Sequence, residues 1–167
     1  MKFDLCKVMD REGESDVVTG DVDLSGYKHR GVFLIKEPVQ LTAKAENRAG
    51  VVSLDCAYRF TLNLTCDRCL TPFTKQVTQQ SEHTVVRALN GRDDDDFIVA
   101  PDGIVELTEL ATNDIVLELP NKFLCSVDCK GLCPVCGCNR NTACCNCNTQ
   151  AIDPRLEALN KFFEDDK

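Results

Sequence analysis

Every even position from 54 to 66 carries an apolar side chain: Leu54, Cys56, Tyr58, Phe60, Leu62, Leu64 and Cys66. Ser53, Asp55, Arg59, Thr61, Asn63 and Thr65 stand between them. A helix would scatter these groups around its axis. In a strand, successive side chains point to opposite faces, so a period of two makes a long strand with one buried face and one wet face. Each large apolar side chain on the dry face contributes roughly 1.5–3 kcal/mol on full burial.

The segment before it alternates as well, with Phe33, Ile35, Val39, Leu41, Ala43 and Ala45 on one parity. Asn47-Arg48-Ala49-Gly50 supplies a turn, so residues 32–46 and 51–65 read as an antiparallel hairpin. A third extended segment covers about residues 72–87, with weaker alternation through Phe73, Val77 and Val85. The first three dozen residues, including Val17, Val18, Val22 and Leu24, add short strands or wrap the sheet. Residues 90–96 form an acidic loop whose four consecutive aspartates repel one another and stay solvated. Phe97-Ile98-Val99 and Ile104-Val105 are short apolar pieces.

A helix fits Leu107 to about Leu119, capped by Thr108 and stopped by Pro120, with Leu107, Leu110, Ala111, Ile115 and Leu119 on one side. A last helix runs from an Asp153 cap, through Pro154, to about Phe163, with Leu156, Leu159 and Phe163 together. The EDDK end is expected to fray. The expected class is α+β: mainly an antiparallel sheet or partial barrel, two short helices, and a C-terminal cysteine-rich zinc-knuckle module. The division expected is a β-rich body over residues 1–120, including a Cys-x-x-Cys hairpin, and a cysteine-rich module with its terminal helix over 121–167.

Nineteen basic against 27 acidic residues give a net charge of −8, which argues against a broad cationic surface for nucleic acid. The opening MKFDLCKVMDREGESD has no apolar run before its acids, and no stretch reaches membrane-spanning length. The expectation is a cytoplasmic chain without a membrane partner, in a reducing compartment where thiols stay reduced or bind metal.

Eight of the twelve cysteines lie between Cys125 and Cys147. Cys133-Pro134-Val135-Cys136-Gly137 has the form of a zinc knuckle: two thiolates two residues apart, then a glycine for the backbone turn. Cys145 and Cys147 follow. Cys133, Cys136, Cys145 and Cys147 are the expected ligands of a structural Zn²⁺. Cys125-x3-Cys129-x3-Cys133 continues the spacing upstream, so Cys125 or Cys129 can displace one of the four. Cys138 and Cys144 look least like ligands. An iron–sulfur cluster competes, since it also uses four thiolates; free thiols and a disulfide scaffold are the remaining readings.

Cys66-Asp67-Arg68-Cys69 sits apart, at a hairpin end. It reads as the end of a buried face with a turn cysteine, as a redox dithiol, or as a functional or metal-supporting pair that presents Arg68 to a partner. His29 and His83 have no nucleophile–base context, and no phosphate-binding glycine loop or paired carboxylates stand out. No enzyme and no small-molecule substrate is expected.

Leu64-Thr65-Cys66-Asp67-Arg68-Cys69-Leu70-Thr71-Pro72-Phe73 resembles the signature of the YceD family, the large ribosomal RNA subunit accumulation proteins. Leu117-Glu118-Leu119-Pro120 agrees, as do Cys125-x3-Cys129-Lys130-Gly131-Leu132-Cys133-Pro134-x-Cys136-Gly137-x-Asn139, Cys145-x-Cys147 and Asp153-Pro154-Arg155-Leu156. The likeness covers most of residues 30–160. Some members keep the Cys-x-Arg-Cys turn without the cysteine-rich tail, which implies separable jobs. This chain departs from the pattern by adding Cys138 and Cys144 and by carrying Arg140 at a usually apolar position. The resemblance implies a non-enzymatic role in synthesis or accumulation of large-subunit ribosomal RNA, with that RNA or a large-subunit protein as partner. Lys122, Lys130 and Arg140 against Asp128 leave the tail locally cationic, and Arg59 and Arg68 are further candidate contacts. The rival reading is a thiol-based redox or metal-responsive protein.

Overall fold

The computed structural model describes residues 1–88 and 97–147. The acidic loop expected at 90–96 and the helix expected from Asp153 to about Phe163, with its tail, lie outside these residues. In chain order the elements are β1 (Lys2–Asp4), α1 (Cys6–Asp10), β2 (Ser15–Val22), β3 (Lys28–His29), β4 (Val32–Phe33), β5 (Val39–Arg48), β6 (Val51–Thr65), β7 (Pro72–Val86), β8 (Phe97–Val99), β9 (Ile104–Glu106) and α2 (Leu107–Glu118). They divide into two compact units. Among the described residues, one is Met1–Leu64 with Pro72–Asn121; the other is Thr65–Thr71 with residues 122–147.

The first unit is mostly sheet. Five strands run in the order β2-β5-β6-β7-β8, and β1 pairs with β9 and β3 with β4 as two-stranded ribbons. The large sheet is open at β2 and β8, and no closed barrel is seen among the described residues. The alternating segment is β6, and its even positions from Val52 to Leu64 are all buried. It pairs antiparallel with β5 from Arg48↔Val51 to Gln40↔Arg59. The strand ladder leaves only Ala49 and Gly50 for the turn, with φ of +53° and +83°. Two consecutive positive φ values match the two-residue turn whose twist suits a hairpin. The buried Asn47 supports it: its Oδ1 accepts from Gly50 N at 3.0 Å and its Nδ2 donates to Val8 O at 2.8 Å.

The expected strand over 32–46 is broken. β4 pairs with β3, Ile35 makes a single bridge to Leu62, and β5 begins only after Pro38, which has no N–H to give a ladder. Phe33, expected inside, is 43% exposed, with the Lys28 ammonium 4.8 Å from its ring centre.

Helix α2 lies where the periodicity put it. Its N-cap is Glu106, whose carboxylate accepts from Thr108 N, rather than Thr108 itself. Leu107, Ala111 and Ile115 are buried as expected, and so is Asp114. The weak alternation of β7 has the same origin. Gln79, Ser81 and His83 sit at positions that a hydrophobic strand would fill with apolar groups, and all three hydrogen-bond Asp114. No helix among the described residues is long and apolar enough to cross a membrane.

Candidate metal centres

The second unit is built from two copies of one turn. In the first, Gly137 N donates to Cys133 O at 2.8 Å and Cys133 N to Cys138 O at 2.8 Å. Gly137 has φ +74°, the left-handed conformation glycine takes without penalty. In the second, Leu70 N donates to Cys66 O at 2.9 Å and Cys66 N to Thr71 O at 3.0 Å. Leu70 has φ +58°. Cys66–Thr71 therefore repeats the backbone frame of Cys133–Cys138, with leucine in the glycine's place.

Each turn meets a second cysteine pair. The sulfurs of Cys133, Cys136, Cys145 and Cys147 all lie within 4.8 Å of one another, and so do those of Cys66, Cys69, Cys125 and Cys129. In the latter set Cys66 and Cys129 are 3.8 Å apart, and Cys69 and Cys125 are 3.6 Å apart. None of the twelve cysteines is in a disulfide. Both quartets can hold a metal ion. Cys125 and Cys129, weighed above as substitutes within the tail quartet, stand instead with the hairpin pair.

The environment of each turn favours thiolate. Burial pushes the Cys66 thiol up, but backbone N–H groups of Cys125, Cys69 and Arg68 outweigh it and hold the group at about 6. The N–H groups of Cys136 and Val135 likewise bring Cys133 to about 6. The cost falls on the partners. Cys125 is pushed up to about 12 chiefly by Cys69, and Cys147 to about 12 chiefly by Cys136. Four thiolates repel one another at these separations, so Cys66, Cys69, Cys133 and Cys136 lose their protons readily while Cys125 and Cys147 keep theirs. A divalent cation removes that repulsion.

The neighbouring Cys136 and Cys145 thiols push Cys138 up to about 12. It is a fifth thiol beside the tail quartet. Cys144 is exposed.

The loops around the quartets interlock. Asp67 N donates to Phe123 O at 2.8 Å, and Phe123 N to Asp67 Oδ2 at 2.7 Å. Arg68 Nη1 donates to Cys129 O at 3.0 Å, and Leu132 N to Arg68 O at 3.0 Å. Arg68 thus spends one nitrogen inside the module, while its side chain remains at the surface together with Lys122, Lys130 and Arg140. Gly131, at φ +71°, lies so close that an added Cβ would stand 3.1 Å from Arg68 O.

The hairpin half of the Cys66, Cys69, Cys125 and Cys129 quartet did not announce its partners in the sequence. Its signal was arithmetic: four close cysteine pairs make two tetrahedral sets, and the tail alone supplies only three of those pairs.

The model of the YceD family, described as large ribosomal RNA subunit accumulation protein, matches residues 54–163. The chain belongs to the YceD family. That match begins in β6 and includes all eight quartet cysteines. The YceD chain is also similar to an uncharacterised protein, YlbN, of Bacillus subtilis (strain 168), at 26% identity over 132 residues, 77% of this chain and 76% of that one. No solved structure matches it.

Proposed function

We propose that this YceD-family chain is a non-enzymatic cytoplasmic factor supporting synthesis or accumulation of large-subunit ribosomal RNA. It acts by contacting that RNA or a large-subunit ribosomal protein, and uses neither a membrane nor a small-molecule substrate. The observation that carries the reading is the family match over residues 54–163. Cys133, Cys136, Cys145 and Cys147 hold a structural Zn²⁺, consistent with an all-sulfur set that spans 15 residues and closes on a knuckle.

Among the described residues, the exposed cations of the cysteine module are few. Lys122, Lys130 and Arg140 with the partly free Arg68 guanidinium give a small patch on a chain of net charge −8. Sequence-independent RNA affinity grows with the number of phosphates neutralised, so this patch alone binds free RNA weakly. A ribosomal protein, or folded RNA presented on a precursor particle, supplies the remaining contact.

Deletion of the gene in its own host is the test. The ratio of large- to small-subunit ribosomal RNA should fall, the wild-type gene should restore it, and the tagged chain should sediment with large-subunit precursors. An unchanged ratio together with no sedimentation would overturn the reading.

A further inference from the structure

We propose that Cys66, Cys69, Cys125 and Cys129 form a second Zn²⁺ centre, and that Asn141, from the loop of the tail quartet, holds one of its thiolates.

The spacing is that of a single ion. Zinc–thiolate bonds of ~2.3 Å in a tetrahedron put the sulfurs about 3.8 Å apart. The Cys66–Cys129 and Cys69–Cys125 separations are 3.8 Å and 3.6 Å, and no pair in the set exceeds 4.8 Å. A disulfide needs sulfurs at ~2.05 Å. An iron–sulfur cluster needs room for several iron and sulfide ions among its cysteines, which this spacing does not leave. Three of the four thiols are buried: Cys66, Cys69 and Cys129. The turn carrying Cys66 and Cys69 repeats, bond for bond, the knuckle frame at Cys133.

One sulfur is also provided with a donor. Cys129 Sγ receives Asn141 Nδ2 at 3.3 Å. Asn141 is fixed in this role. Its Oδ1 accepts from Lys130 N at 2.8 Å, and its Nδ2 also reaches Asn139 Oδ1 at 2.9 Å. Asn139 in turn reaches Thr71 Oγ1, beside Cys69, at 3.2 Å. The segment between Cys138 and Cys145 thus supplies the outer contacts of the hairpin centre. Such contacts typically change metal affinity 10–100-fold. The inference rests on this thiol geometry and is independent of the ribosomal reading.

Elemental analysis of the full chain, purified under reducing conditions, should give two zinc ions per chain. The double variant Cys66→Ser/Cys69→Ser should give one, and so should Cys133→Ser/Cys136→Ser. Asn141→Ala should keep two but lose one of them at least 10-fold faster to a chelator. Because the cysteine variants can misfold, Co²⁺ titration of the wild-type metal-free chain provides a separate reading. The visible bands of tetrahedral thiolate-bound Co²⁺ should saturate at two equivalents. One zinc per wild-type chain, saturation at one equivalent, iron in place of zinc, or a Cys66→Ser/Cys69→Ser chain that still holds two ions would each overturn the proposal. Asn141→Ala release at the wild-type rate would overturn the role of Asn141.

Discussion

The Tyr58 hydroxyl donates to Asp114 Oδ2 at 2.6 Å, and both residues are buried. Tyr58 lies on β6 and Asp114 on α2, so one hydrogen bond fastens the helix to the middle of the sheet. The same oxygen accepts from Ser81 and lies 2.9 Å from His83 Nε2, while Gln79 donates to the Asp114 carbonyl at 2.8 Å. Replacing the carboxylate orphans several donors at once, each costing about 1–3 kcal/mol when left buried and unpaired. Asp114→Ala should therefore destabilise the first unit by about 3 kcal/mol in urea denaturation. Tyr58→Phe on that background should cost less than it does in the wild type, because its partner is already gone.

Leu70 pays for its place in the knuckle frame. A residue with a Cβ in the left-handed region costs roughly 1–2 kcal/mol relative to the right-handed one, and Leu70 is 62% exposed, so little packing is recovered. Leu70→Gly should hold the Cys66 turn in its present shape with less strain. Chelator-driven metal release from the Cys66 quartet should be slower than in the wild type; faster release would show that the leucine is needed in its own right.

Gly131 is constrained twice, by φ +71° and by the Arg68 carbonyl 3.1 Å from any added Cβ. Gly131→Ala should lengthen or break the Leu132 N to Arg68 O bond and loosen the cysteine module by about 1–2 kcal/mol. Limited proteolysis should then cut between residues 122 and 147 faster, with the sheet unit unaffected.

Metal retention should depend on pH with a definite sign. Cys66 and Cys133 are held at about 6, below the ordinary thiol value of 9.0. A lowered value favours the ionised thiol in the folded chain, so that contribution is complete above 9.0 and disappears as pH falls through about 6. Protons compete with metal in the same direction. Zinc release to a colorimetric chelator should be slow at pH 8 and rise steeply below about 6. A flat profile from pH 5 to 8 would contradict the thiolate assignment.

Cys56 gives a contrasting result. Burial pushes its thiol up to about 11, so it stays protonated and shielded at neutral pH. In the folded, metal-loaded chain a thiol reagent should modify the exposed Cys144 rapidly and leave Cys56 untouched; a chelator should make the eight quartet thiols reactive while Cys56 remains silent.

The strand β6 was legible because its pattern is purely local: apolar groups two apart need only a sheet to lie on. The hairpin with β5 followed from it, except where Pro38 and the Lys28–Phe33 contact interrupt the approach. What the pattern hid was polar burial. Gln79, Ser81 and His83 look like a wet face until Asp114 arrives from α2, because their worth lies in a partner and not in hydrophobicity. The cysteine pairs show the same limit. The two pairs of the tail quartet are neighbours in sequence and read together. Cys66 and Cys69 have their counterparts beyond three strands and a helix, and no local spacing points there.

That separation has a consequence for the order in which the chain is made. Cys69 leads Cys125 by 56 residues. At synthesis rates of ~5–20 residues per second, the hairpin thiols wait roughly 3–11 s before the first of their partners exists. Cys133 and Cys147, by contrast, are completed almost together. A nascent chain can thus close the tail quartet as one short piece, while the hairpin pair passes through a period as an open two-sulfur site, exposed to stray metal or oxidant until the far half is delivered.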